Sequence, residues 1–115
     1  MVAEQIPFPL EIDVVTVKAL LDSGQDFLLL DCREQSEYNL VNIRGSKLIP
    51  MSVIQERAEE LAAYRDRHIV VHCHHGGRSL RVTHWLRGQG FSKTQNMSGG
   101  IDAWSLNIDP TLPRY

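Results

Sequence analysis

The sequence predicts an α/β fold with a mostly parallel central sheet of about five strands, flanked by helices on both faces. Three observations support this fold class. Short apolar runs alternate with amphipathic segments, two of the runs are almost continuously apolar, and no repeat, low-complexity stretch or linker interrupts the alternation. We expect one domain over residues 1–115, with an extended lead over residues 1–10 and an extended tail over residues 106–115, both marked by prolines.

The strands are predicted from short apolar or β-branched runs. Residues 27–30 and 68–71 are the strongest candidates, because a strand buried on both faces needs apolar residues at nearly every position. Residues 11–12, 47–49 and 94–97 are weaker strand candidates.

Helices are predicted between the strands. Thr16 is the expected cap of a first helix, which ends near Gly24. Ser52 and Gln55 have the spacing of a capping box for a second helix. A third helix, over residues 79–87, carries several of its apolar residues on a common stripe.

Composition and charge exclude several classes of function. The net charge of −2 does not point to a nucleic acid or an acidic membrane surface as a partner, and no apolar run approaches the roughly 20 residues that span a bilayer. The N-terminal residues lack the pattern of a signal peptide. Two cysteines are too few for a disulfide framework, so we expect free thiols and a cytoplasmic location.

The segment between the strand at 68–71 and the helix at 79–87 has the features of a reactive cysteine site. In parallel sheets, ligands bind beyond the carboxyl ends of the strands, which is where Cys73 lies. A thiol that leads into a helix is close to free backbone N–H groups and to the positive end of the helix dipole. These groups favour the thiolate, which is the nucleophilic form, so Cys73 is the candidate nucleophile.

The residues that follow Cys73 are candidates for substrate binding: His74, His75, Gly76, Gly77, Arg78 and Ser79. The two glycines allow the backbone to curl so that its amides point inward. The Arg78 guanidinium can hold an oxyanion with two hydrogen bonds. Ser79 can either cap the helix or donate its hydroxyl to the Cys73 sulfur.

Four ordered segments carry a family resemblance: residues 29–38 with Asp-Cys-Arg, residues 42–50, residues 73–79, and residues 97–104 with Ser-Gly-Gly-Ile-Asp-Ala-Trp. Together they resemble the single-domain members of the rhodanese family of sulfurtransferases, over nearly the whole chain. The second segment departs from the family pattern, because Asn-Ile-Arg-Gly-Ser stands where His-Ile-x-Gly-Ala is common. That position is not catalytic in the family.

The resemblance implies that Cys73 accepts a sulfane sulfur from a donor such as thiosulfate and becomes a persulfide. The acceptor is then cyanide in vitro, or a thiol or a protein sulfur carrier in the cell, and the kinetics are ping-pong. The loop amides would stabilise the terminal sulfur, while Arg78 would orient the donor's sulfonate or line the loop. Asp31 is expected to hold the loop by hydrogen bonds. No metal or organic cofactor is implied.

Several side chains near this loop have two interpretations. Strand alternation is expected to turn Cys32 away from the site, which favours structural burial over a role as a resolving thiol. Arg33 is either a surface ion pair or a brace of the loop. The histidines and cysteine of residues 72–75 suggest zinc only weakly, because contiguous residues do not easily converge on one ion. His74 and His75 therefore tune the loop charge or contact substrate.

Three other functions are open. Some dual-specificity cell-cycle phosphatases share this fold, but they place one more residue between cysteine and arginine than the four that separate Cys73 from Arg78. The shorter loop suits a single sulfur atom. A non-catalytic binding module would have no need of Cys73. Residues 109–115 resemble the end of the rhodanese domain fused to adenylating enzymes that activate sulfur carriers, so the chain is either free-standing, which Met1 favours slightly, or an excised sulfur-relay domain.

Overall fold

A computed structural model describes residues 8–115, so most of the predicted extended lead over residues 1–10 lies outside the described residues. The described chain forms one five-stranded sheet in the order β1-β5-β4-β2-β3, and every pairing is parallel. The strands are β1 Glu11–Ile12, β2 Leu28–Asp31, β3 Lys47–Leu48, β4 Ile69–His72 and β5 Thr94–Met97. The predicted fold class is confirmed, and each predicted strand lies within one residue of an observed one.

The helices are α1 Val14–Asp22, α2 Gln35–Leu40, α3 Ile54–Arg57, α4 Gly77–Gly88 and α5 Gly100–Asn107, with 3₁₀ segments at Met51–Val53 and Ala58–Tyr64. Asp13 caps α1, because its carboxylate accepts the Thr16 N–H at 2.8 Å, so Thr16 is not the cap. The predicted capping box of the second helix is also wrong. The Ser52 hydroxyl donates to Glu34 instead, and the helical turns there are mostly 3₁₀.

Two apolar cores lie on opposite faces of the sheet, because successive side chains of a strand point to opposite sides. Leu28, Leu30 and Cys32 pack with α4 on one face, whereas Leu29 and Val70 pack with α1 and α5 on the other. The central strands β2 and β4 are buried at all of their positions. Each fully buried leucine or valine contributes about 1.5–3 kcal/mol relative to exposure, so these strands fix the sheet.

The sequence predicts an extended tail over residues 106–115, but the structure differs from this prediction. Helix α5 continues to Asn107, and the Asp109 carboxylate then accepts the Thr111 N–H at 3.1 Å and closes a turn. The chain afterwards returns to the carboxyl end of β2, where Tyr115 packs. None of the helices within residues 8–115 is long and apolar enough to cross a lipid bilayer.

Candidate active site

Cys73 directly follows β4, the middle strand of the sheet, and the chain enters α4 four residues later. Its thiol is free but only 1% exposed, because α4, α5 and β2 surround the end of β4. The parallel sheet therefore places the sulfur at the base of a loop, at the carboxyl edge where the sequence predicts the site.

Three hydrogen-bond donors contact the Cys73 sulfur. The Gly76 N–H lies 3.1 Å from Sγ, and the Ser79 N–H and Oγ both lie 3.3 Å from it. Gly76 has a φ of 111°, a left-handed conformation that suits glycine and turns the amide inward. These three donors form what we call the sulfur cradle. The neighbouring thiol of Cys32 and these three donors stabilise negative charge, so the pKa of Cys73 is lowered and the thiolate is favoured.

Ser79 contributes to this cradle but does not cap α4, whose N-cap is Gly76. The Ser79 Oγ lies within hydrogen-bond distance of both the Cys73 sulfur and the Asn96 Oδ1. A hydroxyl has one proton, so the two acceptors share it. The Asn96 amide is held in this orientation because its Nδ2 donates to Gly76 O at 3.2 Å and to Glu11 Oε1 at 2.9 Å.

Arg78 faces a carboxylate rather than the interior of the loop. Its Nη1 and Nη2 donate to the two oxygens of Glu37 at 2.7 and 2.9 Å. The hydrogen bond from Arg78 is the largest cause that lowers the pKa of Glu37, and it outweighs the opposing effect of burial, so that the pKa is about 2. The guanidinium that the sequence assigns to an oxyanion is therefore committed to joining the loop to α2.

Asp31 and Arg33 form a pair with fully buried side chains, 2.7 Å apart at the closest oxygen and nitrogen. The Arg33 guanidinium also donates to the carbonyl of Val41 at 2.7 Å and to the Tyr115 hydroxyl at 3.0 Å. The interpretation of Arg33 as a surface ion pair is wrong, and it braces α2 and the tail. The expected hydrogen bonds from Asp31 to the loop are also absent from the described residues, because alternation along β2 points Asp31 to the face opposite Cys73.

Cys32 lies beside Cys73, which corrects the prediction that strand alternation turns it away. Asp31 pairs with His72 in the ladder of β2 and β4, and the Cys32 N–H donates to His72 O at 3.0 Å. Cys32 is therefore opposite Cys73, and both thiols belong to the same apolar core. This proximity is the largest cause of both pKa shifts, since it raises the pKa of Cys32 and lowers that of Cys73.

His74 and His75 lie at the mouth of the loop. The His74 ring stacks on Tyr115, with centroids 3.8 Å apart and planes 6° apart, whereas His75 is largely exposed. Potential metal-binding atoms of both histidines and Asp102 lie within 4.8 Å of one another, so these three residues could hold a metal ion. Asp102 lies in α5, far from the histidines in the chain, so the contiguous residues 72–75 do not indicate it. Its carboxylate already pairs with Arg114 at 2.9 Å, and an ion would compete with that pair.

Helix α5 holds the loop from the side opposite α4. The Ile101 N–H donates to the carbonyl of Cys73 at 2.9 Å, and the Asp102 N–H donates to the carbonyl of His74 at 3.1 Å. Gly100 has a φ of 61°, and a Cβ at this position would overlap both carbonyl oxygens. Only glycine therefore permits the backbone of α5 to approach the loop so closely.

Three residues that shape the site are missed by sequence reasoning. Glu37 appears only within a family segment, Asn96 only within a weak strand, and Tyr115 only within the tail. A polar residue buried in a strand is a signal that could have identified Asn96, because such a residue needs specific hydrogen-bond partners. No local signal identifies Glu37 or Tyr115, since each acts on residues far away in the chain.

Comparison with known proteins gives a consistent result. A family profile described as "Rhodanese-like domain" matches residues 13–107. A sulfurtransferase from Allochromatium vinosum is 34% identical over 102 residues, which cover 89% of this chain and 94% of that protein. The human single-domain sulfurtransferase TSTD1 superposes with a TM-score of 0.75 at 26% identity, covering 86% of this chain and 97% of the other.

Many relatives are much longer than this chain. The adenylyltransferase and sulfurtransferase MOCS3-1 of Zea mays is 34% identical over 103 residues, which cover 85% of this chain but 22% of that protein. The chain spans between 21% and 30% of the length of the first six curated relatives that it matches. The resemblance of the tail to the domain fused to adenylating enzymes thus agrees with this group of relatives.

Proposed function

The chain belongs to the rhodanese-like domain family, and from that membership we propose that it is a sulfurtransferase that carries a sulfane sulfur as a persulfide on Cys73. The observation that carries this proposal is the sulfur cradle, in which Gly76 and Ser79 direct three donors at a nearly buried thiol. Relatives named as sulfurtransferases support the general activity. The donor, the acceptor and the persulfide intermediate are proposed from the resemblance to the rhodanese family, and the donors of the cradle suit a sulfur that carries negative charge.

The first half-reaction is a nucleophilic displacement on the donor. The thiolate of Cys73 attacks the outer sulfur of thiosulfate, the bond between the two donor sulfurs breaks, and sulfite leaves with the electron pair. The terminal sulfur of the resulting persulfide carries negative charge. Backbone N–H groups of residues 74–79 are the proposed donors to this sulfur, and hydrogen bonds to a charged group are worth about 1.5–3 kcal/mol each.

The second half-reaction returns the enzyme to its starting state. A thiophilic acceptor attacks the terminal sulfur, and Cys73 leaves as the thiolate that the cradle stabilises. Cyanide serves as the acceptor in vitro, and a thiol or a protein sulfur carrier serves in the cell. The relatives that join adenylyltransferase and sulfurtransferase in one chain support a protein acceptor. Neither half-reaction requires a metal, an organic cofactor or a nucleic acid.

The residues around the cradle have distinct proposed roles. His75 is exposed at the mouth of the loop, and we assign to it the first contact with an anionic donor. Arg78 acts indirectly, by fixing the loop against Glu37. A phosphatase has less support than a sulfurtransferase, because the guanidinium that would bind phosphate is occupied by that carboxylate.

A reducing compartment suits two free thiols, and we propose the cytoplasm. One plant relative is named as chloroplastic, so the same chemistry also fits a reducing organelle.

The test is thiocyanate production from thiosulfate and cyanide by the wild type and by Cys73→Ser. We expect steady production with ping-pong kinetics by the wild type and only the non-enzymatic background with the variant, whose circular dichroism should match that of the wild type. Aryl phosphate supplied to the same preparations should release no nitrophenol. Unchanged thiocyanate production by Cys73→Ser would refute the proposal, and nitrophenol release without thiocyanate would replace it with a phosphatase.

A further inference from the structure

We propose that Cys32 is a resolving thiol that discharges the Cys73 persulfide as hydrogen sulfide and leaves a disulfide between Cys32 and Cys73. This inference rests on the proposed persulfide and adds a second activity to it. When no thiophilic acceptor reaches the terminal sulfur, the protein reduces that sulfur internally. An external thiol then reduces the disulfide.

The register of the sheet brings the two cysteines together. Cys32 follows β2 and Cys73 follows β4, and the ladder that pairs Asp31 with His72 makes them neighbours across adjacent parallel strands. Neighbouring strands lie about 4.7–4.9 Å apart. That spacing falls within the range of about 4.4–6.8 Å between Cα atoms that a disulfide spans. Side chains at this level point to the same face, since both residues belong to one core.

The backbone on either side of Cys32 is fixed, so little movement precedes a reaction with Cys73. Its N–H donates to His72 O at 3.0 Å, and its carbonyl accepts from Met51 at 2.9 Å. The side chain is fully buried. A dissolved oxidant or alkylating reagent therefore has no direct path to Cys32, whereas the Cys73 sulfur is an immediate neighbour.

The chemical step balances without an outside oxidant. The Cys32 sulfur attacks Cys73 Sγ, the bond from Sγ to the terminal sulfur breaks, and hydrosulfide leaves with the electron pair. The terminal sulfur carries a negative charge before the attack, so it takes the proton of the Cys32 thiol and leaves as hydrosulfide. A second proton, from water, converts the hydrosulfide to hydrogen sulfide. The sulfane sulfur is reduced by two electrons and the two thiols are oxidised to a disulfide. Two equivalents of a small thiol then restore both cysteines and become oxidised themselves.

Loading of sulfur changes what Cys32 does. In the unloaded protein, the neighbouring Cys73 thiolate and burial hold the pKa of Cys32 high, so Cys32 stays protonated. In the persulfide, the negative charge lies one atom farther away, on the terminal sulfur. The Sγ atom of Cys73 then becomes the electrophile, and the sulfur of Cys32 becomes the nucleophile.

The decisive variant is Cys32→Ser, which keeps a hydrogen-bond donor beside Cys73 but cannot form a disulfide. Reduced, anaerobic protein is incubated with thiosulfate and no acceptor, and sulfide and intact mass are measured. The wild type should release about one equivalent of sulfide and become about 2 Da lighter than the reduced chain. Cys32→Ser should become about 32 Da heavier and release no sulfide above background. Without reduction, a tryptic digest of the wild type should contain peptides 19–33 and 68–78 joined.

A kinetic readout complements the masses. Wild-type protein incubated with thiosulfate alone should lose most of its thiocyanate production within the period of sulfide release and regain it after addition of thiol. The thiocyanate production of Cys32→Ser should not fall during the same incubation. If Cys32→Ser folds poorly, Cys32→Ala serves as the second non-resolving variant. A wild type that keeps the extra 32 Da, about one sulfur mass, and releases no sulfide would overturn this inference and leave the proposed function intact. The persulfide itself would be refuted by a different result: neither protein gains sulfur, neither releases sulfide or forms the disulfide, and neither makes thiocyanate.

Discussion

Replacing Ser79 with alanine tests whether a side-chain hydroxyl helps to ionise Cys73. The hydroxyl lies 3.3 Å from the sulfur, and both side chains are buried. A hydrogen bond to a charged group is worth about 1.5–3 kcal/mol. Asn96 competes for the same proton, so we take the lower end of this range. At about 1.4 kcal/mol per pKa unit, Ser79→Ala should raise the pKa of Cys73 by about one unit.

The assay follows alkylation of Cys73 by iodoacetamide as a function of pH, with intact mass as the readout. Donors lower the pKa of Cys73, so removing one shifts the acid limb of the rate profile to higher pH. On the falling part of that limb, the variant should react about tenfold more slowly than the wild type. Well above both pKa values the two rates should converge, because each protein is then fully ionised.

Thr83→Ala is the matched control for Ser79→Ala. Thr83 lies one turn later in α4, is equally buried, and donates its hydroxyl to the carbonyl of Ser79 at 2.7 Å. Its loss should reduce stability by about 1 kcal/mol and leave the acid limb unchanged. Coincident acid limbs for Ser79→Ala and the wild type would refute the reasoning. They would mean that the hydroxyl serves Asn96 and that backbone amides alone form the cradle.

Three further substitutions test the supports of the site. Asp31→Asn leaves the buried Arg33 charge uncompensated and should lower the free energy of unfolding in urea by about 3–5 kcal/mol, and a loss below 1 kcal/mol would contradict a buried pair. Gly100→Ala forces a methyl group against the carbonyl of Cys73 and should reduce thiocyanate production at least about tenfold while far-ultraviolet circular dichroism is retained. Tyr115→Phe keeps the ring but removes the hydroxyl that contacts Arg33, so it should lower the free energy of unfolding in urea by about 1 kcal/mol. An unchanged free energy of unfolding would show that this contact does not stabilise the fold.

The sequence predicts the sheet and the reactive loop well, because both depend on local signals. The apolar run at 27–30 and the run at 68–71, which is rich in β-branched residues, indicate strands buried on both faces, and the observed strands lie one residue later. The glycines and Ser79 after Cys73 have their effect within one turn of backbone. Strands, nucleophile and cradle therefore follow from residues that are close together in the chain.

The partners of the loop could not be predicted, because they depend on register and on distant contacts. The partner of Arg78 is Glu37, which lies 41 residues away in the chain, so the residues near Arg78 do not indicate it. Alternation along one strand does not determine whether Cys32 faces Cys73, because their relative position is set by the pairing of two strands. Tyr115 contacts Arg33, which lies 82 residues away in the chain, and the residues near either one do not indicate this contact.

The two amides of α5 that hold the loop carbonyls also provide a built-in gauge of its motion. The N–H groups of Ile101 and Asp102 can exchange with deuterium only when they separate from Cys73 and His74. Their exchange rates therefore report the free energy of local opening at the sulfur site, without any label or substitution in the loop itself. Slower exchange of these two amides in sulfur-loaded protein would reveal that carrying sulfur tightens the loop, and faster exchange would reveal a loop that opens to deliver it.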